Sequence, residues 1–203
     1  MRTLILARHA HAESNAGEFV NSTPPGVGLS ESGREEARIL GSLLAHDSID
    51  AGFCSRLRRT QETLDLALAG RPVPRIVEPL LDEIGFGSFE GGSLAVYRQW
   101  AWENAPEAPC PGGGESRVEA ALRVADALAA LLARPEETVL VVSHALPLRY
   151  AIDASDGRFP ASRLEPVPHA TPFRLDREAV GLAAAALRSW ADAPRFADTP
   201  FGG

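Results

Sequence analysis

Two short segments of the sequence place a histidine where an apolar run ends. Arg8-His9 follows the run at residues 3–7, and Ser143-His144 follows the run at residues 138–142. A histidine nitrogen can attack phosphorus and form a covalent intermediate, and arginine can donate paired hydrogen bonds to phosphoryl oxygens. These residue types therefore predict phosphoryl-transfer chemistry, provided that the fold brings them together.

The elements that must position these residues form an alternating pattern. The sequence predicts strands at residues 3–7, 50–55, 76–77 and 138–142, and helices at residues 30–46, 57–69, 94–103, 115–134 and 145–154. This alternation is typical of an α/β fold, here a three-layer α/β/α arrangement with a mixed, mainly parallel central sheet. Because such sheets bind ligands at the carboxyl ends of their strands, we expect Arg8-His9, residues 55–58 and Ser143-His144 to line one crevice.

The predicted domain organisation is a single α/β domain over residues 1–190, followed by a C-terminal tail at residues 191–203. Within the domain, residues 86–114 are rich in Gly and Pro and are expected to form a variable loop or cap. Near the C-terminus, the runs at residues 171–175 and 182–187 are predicted to pair as a hairpin, although alanine is a poor strand former.

Composition and charge exclude several function classes. The chain has 203 residues and a formal net charge of −7, which argues against binding to nucleic acid or to an anionic membrane surface. All 20 basic residues are arginine, so Lys-dependent phosphate loops and Schiff-base chemistry are excluded, and residues 112–114 are not a P-loop. Cys54 and Cys110 are too few for a disulfide framework, and no apolar run approaches the ~18 residues of a membrane span. We therefore expect a soluble cytoplasmic protein with free thiols.

Six short patterns occur in the order found in a known family. They are Arg8-His9-Ala10, residues 29–33, residues 55–63, Leu81-Asp82-Glu83 with Glu90-Gly91, Gly114-Glu115-Ser116 and Val142-Ser143-His144. The first resembles the Arg-His-Gly signature of the histidine phosphatase superfamily, the phosphoglycerate-mutase-like proteins. Residues 55–63 resemble the Ser-x-Leu-x-Arg-x-x-x-Thr segment of that family. As an ordered set, the six patterns make the resemblance specific over residues 2–150.

The resemblance implies a fold, a reaction and a role for each matched residue. The fold is phosphoglycerate mutase-like, and no metal or organic cofactor is implied. His9 is expected to be the nucleophile that carries the phosphoryl group, and Glu83 is expected to be the proton donor. The other expected site residues bind phosphate or substrate: Arg8, Asn15, Arg58 and His144, with Ala145 beside them. The alternative for Arg58 is a helix-surface residue paired with Glu62 in an ordinary i,i+4 contact, but Arg59 fits that surface role better.

The chain departs from the family pattern at three positions near the expected site. Family members usually carry Gly where this chain has Ala10 and Ala145, and Ser or Thr is common where it has Ala12. A methyl group at the two glycine positions would crowd the backbone near phosphate. We therefore expect reduced or altered specificity rather than an inactive site.

The identity of the acid and the absence of a metal stay open at this stage. Asp82 and Glu90 lie close to Glu83 in sequence, and the choice among them depends on geometry and pKa. The His9-x-His11 pattern also occurs in metal-dependent hydrolases built on barrels, although such barrels need about 250 residues.

Four further side chains lie outside the matched patterns. His46 and His169 are predicted to be surface and loop residues. Trp100 and Trp102 are predicted to pack, and the alternative is that they wall a substrate pocket.

The predicted function is metal-independent hydrolysis of a phosphate monoester through a phosphohistidine on His9. A phosphoglycerate-type mutase is one alternative, which the short inserted loops disfavour because a mutase must shield its phosphoenzyme from water. A low-activity pseudo-phosphatase that binds a phosphorylated ligand is the other. The expected partner is a small phosphorylated substrate, with no nucleic acid and no membrane. The sequence sets neither the substrate nor the oligomeric state.

Overall fold

The computed structural model describes residues 1–198, which form a central sheet flanked by helices. The strands are β1 (Thr3–Arg8), β2 (Ala51–Cys54), β3 (Arg75–Val77), β4 (Thr138–Ser143) and β5 (Pro172–Asp176). The helices are α1 (Glu13–Ala16), α2 (Glu31–Leu43), α3 (Arg58–Ala67), α4 (Leu94–Glu103), α5 (Arg117–Leu132), α6 (Ala145–Ser155) and α7 (Arg177–Asp192).

The sheet has the order β3-β2-β4-β1-β5. Its first four strands are parallel, and β5 runs antiparallel to β1 at one edge. The carboxyl ends of β1 and β4 lie side by side, because Arg8 pairs with Ser143 in the register. The predicted mixed, mainly parallel sheet is therefore confirmed, and His9 and His144, which follow β1 and β4, are brought to one edge of the sheet.

Helices cover both faces of the sheet, as the sequence predicted. Along β1, Leu4 and Leu6 pack with α5, α6 and α7, whereas Ile5 and Ala7 pack with α2 and α3. This alternation follows from the two-residue period of a strand, and it makes the strand apolar on both sides. The two cores hold the sheet rigid and leave its carboxyl edge free for polar side chains.

A close approach between α2 and the loop after β1 depends on a glycine. Ser30 caps α2 by accepting a hydrogen bond from the Gly33 backbone N–H, and the Ser30 N–H bonds to the His11 carbonyl oxygen. A Cβ atom on Gly33 would lie 1.9 Å from that oxygen. Only glycine therefore lets the helix dock against the segment that follows His9.

The predicted C-terminal hairpin is wrong, because residues 182–187 belong to α7. Residues 171–175 do overlap the observed strand β5, but its partner is β1. Helix α7 buries Val180, Ala183, Leu187 and Trp190 at helical spacing, so an alanine-rich run packs as a helix rather than a strand.

The first residues of the predicted tail are packed against the domain. Residues 191 and 192 end α7, and the Phe196 ring lies 6.3 Å from the Trp190 ring. The Trp190 indole N–H donates to the Arg195 carbonyl oxygen at 2.7 Å. Residues 199–203 of the predicted tail lie outside the described residues.

Candidate active site

His9 lies directly after β1 and is buried, with 3% of its surface exposed. Its backbone N–H bonds to the Ser143 carbonyl oxygen at 2.9 Å, which extends the β1–β4 pairing by one residue. Its ring Nδ1 lies 2.8 Å from the Ala10 carbonyl oxygen. Because a carbonyl oxygen can only accept, Nδ1 carries the proton and Nε2 presents its lone pair.

The guanidinium group that faces this lone pair belongs to Arg59. Its Nε donates to His9 Nε2 at 3.2 Å, and the side chain is buried with 3% exposure. Burial lowers the pKa of Arg59 to about 10, which leaves it cationic at neutral pH. Burial, and then the charges of Arg59 and Arg8, hold the pKa of His9 well below its ordinary value of 6.5. The imidazole is therefore neutral, with an unprotonated Nε2.

The predicted roles of the two neighbouring arginines are reversed in the structure. The Arg58 side chain is 61% exposed and pairs with Glu62 at 2.7 Å, an ordinary i,i+4 contact, so Arg58 has the helix-surface role that the sequence predicts for Arg59. One residue along α3 is a rotation of about 100°, so the two arginines point to different sides of the helix. In the matched pattern Ser-x-Leu-x-Arg, the spacing from Ser55 already places the arginine at 59.

His144 lies at the start of α6 and is fully buried. Its Nδ1 accepts from Arg59 Nη2 at 3.1 Å, so its Nε2 carries the proton and donates to the Ser55 hydroxyl at 2.8 Å. The Ser55 hydroxyl lies 2.8 Å from the Thr60 hydroxyl. Burial and the charge of Arg59 lower the pKa of His144 well below 6.5. Its ring centroid is 5.3 Å from that of His9, which brings the two predicted histidines into one site.

Arg8 reaches the same site from the end of β1. Its Nη1 donates to the Val167 carbonyl oxygen at 2.9 Å, and its buried Nε has no partner among the described residues. Its charge acts on both Glu83 and His9. The site therefore holds the buried guanidinium group of Arg59 and the half-buried one of Arg8 beside the neutral His9.

The structure separates the three candidate acids by their contacts. Asp82 is bound to Arg56, with 2.6 Å between the carboxylate and the guanidinium group. Glu90 accepts hydrogen bonds from the backbone and hydroxyl of Ser22 and from the Thr23 backbone, which fastens the loop after α1. Glu83 alone among the three lines the central cavity described below. Burial raises the pKa of Glu83 above its ordinary 4.5, which favours the protonated acid.

Helix α5 holds the backbone of the Glu83 loop in place. Arg123 donates to the carbonyl oxygens of Leu80 and Asp82 at 2.9 and 2.8 Å. Arg123 also pairs with Glu115 at 2.7 Å, and Glu115 accepts from the Gly85 backbone N–H. Glu115, from the segment Gly114-Glu115-Ser116, thus helps to position Glu83 from outside the site.

Asn15 is not among the residues that contact the site. Its side-chain oxygen accepts from the Ala12 backbone N–H at 2.9 Å and closes the short helix α1. Asn21, a residue that the sequence analysis did not name, contacts the site instead: its side-chain oxygen and its carbonyl oxygen accept from Arg59 at 3.1 and 2.8 Å. The sequence carried no signal for Asn21, because the loop that contains it has no regular spacing.

His169 is a site neighbour that the sequence placed only in a loop. Its Nδ1 donates to the His9 carbonyl oxygen at 2.7 Å, and its ring lies 5.4 Å from the His9 ring. Burial and the charge of Arg8 lower the pKa of His169 to about 4. The residue comes from the segment before β5, so its approach depends on the antiparallel edge strand and could not be read from local spacing.

A cavity of about 260 Å³ opens beside these groups. Arg8, Glu83 and Ala145 line one part of it, where the N-terminus of α6 favours an anion. The remaining wall is mainly aromatic and aliphatic, and it includes Phe86, Leu94, Tyr97, Trp102, Leu146 and Leu164. Trp102 thus fits the pocket-wall alternative, whereas Trp100 packs against Phe89 at 5.4 Å. Ala10 is buried, and its N–H bonds to Thr63, so its methyl group is accommodated.

Residues 1–198 contain neither a cluster of metal ligands nor a helix that could span a membrane. No group of three His, Cys, Asp or Glu side chains in this part of the chain is arranged to hold a metal ion. No helix within these residues combines the length and the apolar character needed to cross a membrane.

The sequence matches one family model over most of its length. Residues 4–175 match the model described as histidine phosphatase superfamily (branch 1). The chain is also 32% identical over 152 residues to the adenosylcobalamin/alpha-ribazole phosphatase of Salmonella typhimurium, covering 70% of this chain and 73% of that protein. It is 34% identical over 166 residues to a 2,3-bisphosphoglycerate-dependent phosphoglycerate mutase of Rhizobium etli, covering 73% and 78%.

A solved structure of a similar protein has the same fold. The alpha-ribazole phosphatase of Shigella flexneri superposes with a TM-score of 0.75 at 29% sequence identity. The superposition covers 86% of this chain and 90% of that one.

Proposed function

The chain belongs to the histidine phosphatase superfamily, and from this premise we propose that it hydrolyses a phosphate monoester through a phosphohistidine on His9. The observation that carries the proposal is the pairing of His9 Nε2 with Arg59 Nε at 3.2 Å. It combines an unprotonated nucleophilic nitrogen with a buried cation that can receive the oxygens of the transferred group.

In the first step, His9 Nε2 attacks phosphorus and the bond from phosphorus to the ester oxygen breaks. Glu83 donates its proton to the leaving oxygen, so the alcohol departs neutral. Arg8 and Arg59 bind the phosphoryl oxygens, on which the negative charge of the transition state is spread. The charge of the bound phosphoryl group opposes that of Arg59 and raises the pKa of His144, so His144 takes the proton of a monoanionic substrate, donates it to a phosphoryl oxygen and returns it to the departing phosphate.

In the second step, the Glu83 carboxylate takes a proton from water as the water oxygen attacks phosphorus. The N–P bond breaks, its electron pair returns to His9 Nε2, and inorganic phosphate leaves. Glu83 is then protonated again and His9 is neutral, which restores the starting state. Every group in this cycle belongs to the chain, and the cycle uses no metal ion.

Hydrolysis is preferred to phosphoryl transfer between two positions of a substrate. Similar proteins include both phosphatases and mutases. A mutase must retain its phosphoenzyme and its intermediate away from water. Here the segment at residues 86–114 supplies one ten-residue helix, α4, and turns as the cover. Product analysis separates the two: release of inorganic phosphate supports hydrolysis, and return of phosphate to an isomeric acceptor supports the mutase.

The test of the proposal is hydrolysis of p-nitrophenyl phosphate with and without a chelator. We expect turnover that persists in chelator, disappears in His9→Ala, and leaves an acid-labile phosphate on His9 that mass spectrometry detects after rapid quenching. Loss of turnover in chelator, or a label on another residue, would overturn the mechanism. Phosphate binding without turnover would identify the chain as a pseudo-phosphatase.

We further propose that the protein works in a reducing compartment such as the cytoplasm. Cys54 and Cys110 are buried free thiols, which fits such a compartment. Burial raises their pKa values to about 12 and about 11, so neither thiol is activated. Thiol labelling of the protein from freshly lysed cells, under denaturing conditions, should modify both residues.

A further inference from the structure

Three residues hold the guanidinium group of Arg59 in the site. Its Nε donates to His9 Nε2 at 3.2 Å, and its Nη2 donates to His144 Nδ1 at 3.1 Å. The third residue is Asn21, whose side-chain oxygen accepts from Nη1 at 3.1 Å and whose backbone carbonyl oxygen accepts from Nη2 at 2.8 Å. Because a guanidinium group carries five N–H donors, these four contacts leave one N–H of Nη1 for an oxygen of a bound phosphoryl group.

The proposed reaction removes two of these four contacts. His9 Nε2 uses its lone pair to bond phosphorus, so it can no longer accept from Arg59. His144 takes its proton on Nδ1, because its Nε2 already donates to Ser55, and it too stops accepting. The two contacts with Asn21 are then the ones that keep Arg59 in place while the phosphoryl group is transferred.

The Glu90 carboxylate sets the orientation of the Asn21 amide. Its Oε1 accepts from Asn21 Nδ2 at 3.1 Å, which turns the side-chain oxygen of Asn21 toward Arg59. The Val27 backbone N–H donates to the same oxygen at 3.1 Å. An amide turned the other way would point its NH2 group at the N–H donors of Arg59 and Val27. The side-chain contact with the guanidinium group therefore depends on the carboxylate.

Glu90 also holds the backbone of the loop after α1. The Ser22 N–H donates to the carboxylate at 2.9 Å, the Ser22 hydroxyl at 2.8 Å and the Thr23 N–H at 3.1 Å. Hydrogen bonds to a charged acceptor are roughly twice as strong as those between neutral groups. Backbone hydrogen bonds between Val20 and residues 91 and 92 bring Glu90 to this position. One carboxylate thus fixes both oxygens that hold the guanidinium group.

We propose that Glu90 is a positioning residue for the reaction, and that it acts through Asn21 to keep Arg59 on the transferred phosphoryl group. This inference rests on the proposed phosphatase function. In the free protein the two histidines also hold Arg59, whereas during transfer they do not. Loss of Glu90 should therefore weaken binding of the transition state more than binding of the substrate, and it should lower kcat rather than raise KM.

The experiment measures kcat and KM for p-nitrophenyl phosphate in Glu90→Gln, which keeps the size of the side chain and removes one acceptor oxygen. We expect kcat to fall about ten- to hundredfold and KM to change by less than about threefold, because a small displacement of a catalytic group can cost up to about 10²-fold in rate. An unchanged kcat, or a loss that appears in KM alone, would overturn the proposal.

Asp50→Asn is the matched control. One oxygen of Asp50 also accepts from two successive backbone N–H groups, those of Glu137 and Thr138, but at the amino end of β4. Its kcat should equal that of the wild-type protein, whatever the change in melting temperature. A kcat lowered as much as in Glu90→Gln would show that loss of stability alone explains both, which would overturn the proposal.

Two further variants test the route of the effect. In Arg59→Ala, the additional change Glu90→Gln should alter kcat by less than about twofold, because the group that it positions is absent. A full further loss would mean that Glu90 acts on another group. Asn21→Ala keeps the bonds of Glu90 to Ser22 and Thr23, and it should lower kcat at least about tenfold. An unchanged kcat in Asn21→Ala would overturn the proposal even if Glu90→Gln fails to fold.

A binding measurement separates failure of this inference from failure of the proposed function. Calorimetric titration with orthovanadate, an analogue of the transition state, and with inorganic phosphate requires no turnover. We expect Glu90→Gln to weaken binding of vanadate about tenfold or more and binding of phosphate by less than about threefold.

Equal binding of vanadate by Glu90→Gln and by an active wild-type protein contradicts the positioning role alone. A selective loss of vanadate binding, in a protein whose wild-type form hydrolyses nothing, supports the positioning role and contradicts the phosphatase. A wild-type protein that neither hydrolyses p-nitrophenyl phosphate nor binds vanadate contradicts both.

Discussion

Arg59 donates a 3.2 Å hydrogen bond from Nε to Nε2 of His9, the ring nitrogen that carries no proton. The same guanidinium group donates to Nδ1 of His144 at 3.1 Å and to Asn21. One side chain thus fixes the tautomers of both histidines and supplies positive charge where we propose that the phosphoryl oxygens bind. The proposed chemistry depends on this residue as much as on His9.

Replacing this arginine should therefore be far more harmful than replacing its neighbour. We expect Arg59→Ala to lower kcat/KM by at least about 10²-fold, the loss typical of a removed transition-state donor. Arg58→Ala removes an exposed ion pair with Glu62 and should change kcat/KM by no more than about twofold. Steady-state kinetics with p-nitrophenyl phosphate measure both. Equal losses in the two variants would contradict the placement of Arg59.

Activity should be highest at pH values between the lowered pKa of His9 and the raised pKa of Glu83. The lowered pKa of His9 keeps the nucleophile neutral as the pH falls below 6.5, and the raised pKa of Glu83 keeps the acid protonated above pH 4.5. Activity should thus be lost at high pH as Glu83 ionises, and at low pH as His9 is protonated. The measurement is the pH profile of kcat/KM.

Two variants identify the group whose ionisation causes the decline in activity at high pH. Glu83→Gln should lower kcat/KM about 10²- to 10⁴-fold and remove the decline at high pH, because an amide cannot ionise. Asp82→Asn is the matched control, since Asp82 binds Arg56 and should affect stability rather than the shape of the profile. A decline at high pH that persists in Glu83→Gln would assign the acid to another group.

Stability should fall in mild acid because of His169. Its pKa is about 4 in the folded protein and near 6.5 in the unfolded chain, so the unfolded state binds more protons between these values. The free energy of unfolding should therefore decrease as the pH falls through this range. His169→Asn keeps a donor for the His9 carbonyl oxygen and should make the decrease smaller. Urea denaturation at several pH values tests this, and the exposed His46→Asn should retain the full decrease.

Two glycine substitutions should have opposite consequences for stability. Gly33→Ala places a Cβ atom 1.9 Å from the His11 carbonyl oxygen, so α2 must move. We expect it to destabilise the fold by about 2 kcal/mol or more. Gly181→Ala lies within α7 where a Cβ meets nothing within 4 Å, and it should be neutral or stabilising by up to about 1 kcal/mol. Equal free energies of unfolding for the two variants would show that α2 tolerates the displacement.

The strands, and the approach of His9 to His144 at their carboxyl ends, could be predicted because the sequence signals are local. Apolar runs with a sharp polar end mark β1 and β4, and parallel pairing necessarily brings their carboxyl ends together. The placement of Arg59 in the site could also have been predicted from its spacing to Ser55. Because Arg58 and Arg59 are adjacent on one helix, the prediction exchanged their roles.

The remaining contacts depend on the packing of distant segments. His169 reaches His9 because β5 adds to the sheet edge antiparallel to β1, and Asn21 reaches Arg59 because Glu90 fastens the loop. The error over residues 182–187 has a different cause. Alanine has the highest helix propensity of all residues, so this alanine-rich run carried a local signal for a helix that the hairpin prediction did not use, and α5 and α6 provide the surface on which the helix packs.

The attachment of the Glu83 loop to Arg123 and Glu115 separates two tasks along the chain. Glu83, the proposed general acid, is tied to α5, whereas Leu94, Tyr97 and Trp102 belong to the separate segment that carries α4. Mutation within α4 can therefore remodel which molecules are accepted without displacing the acid. Such an arrangement allows substrate preference to diversify among descendants of one scaffold while the reaction itself is inherited unchanged.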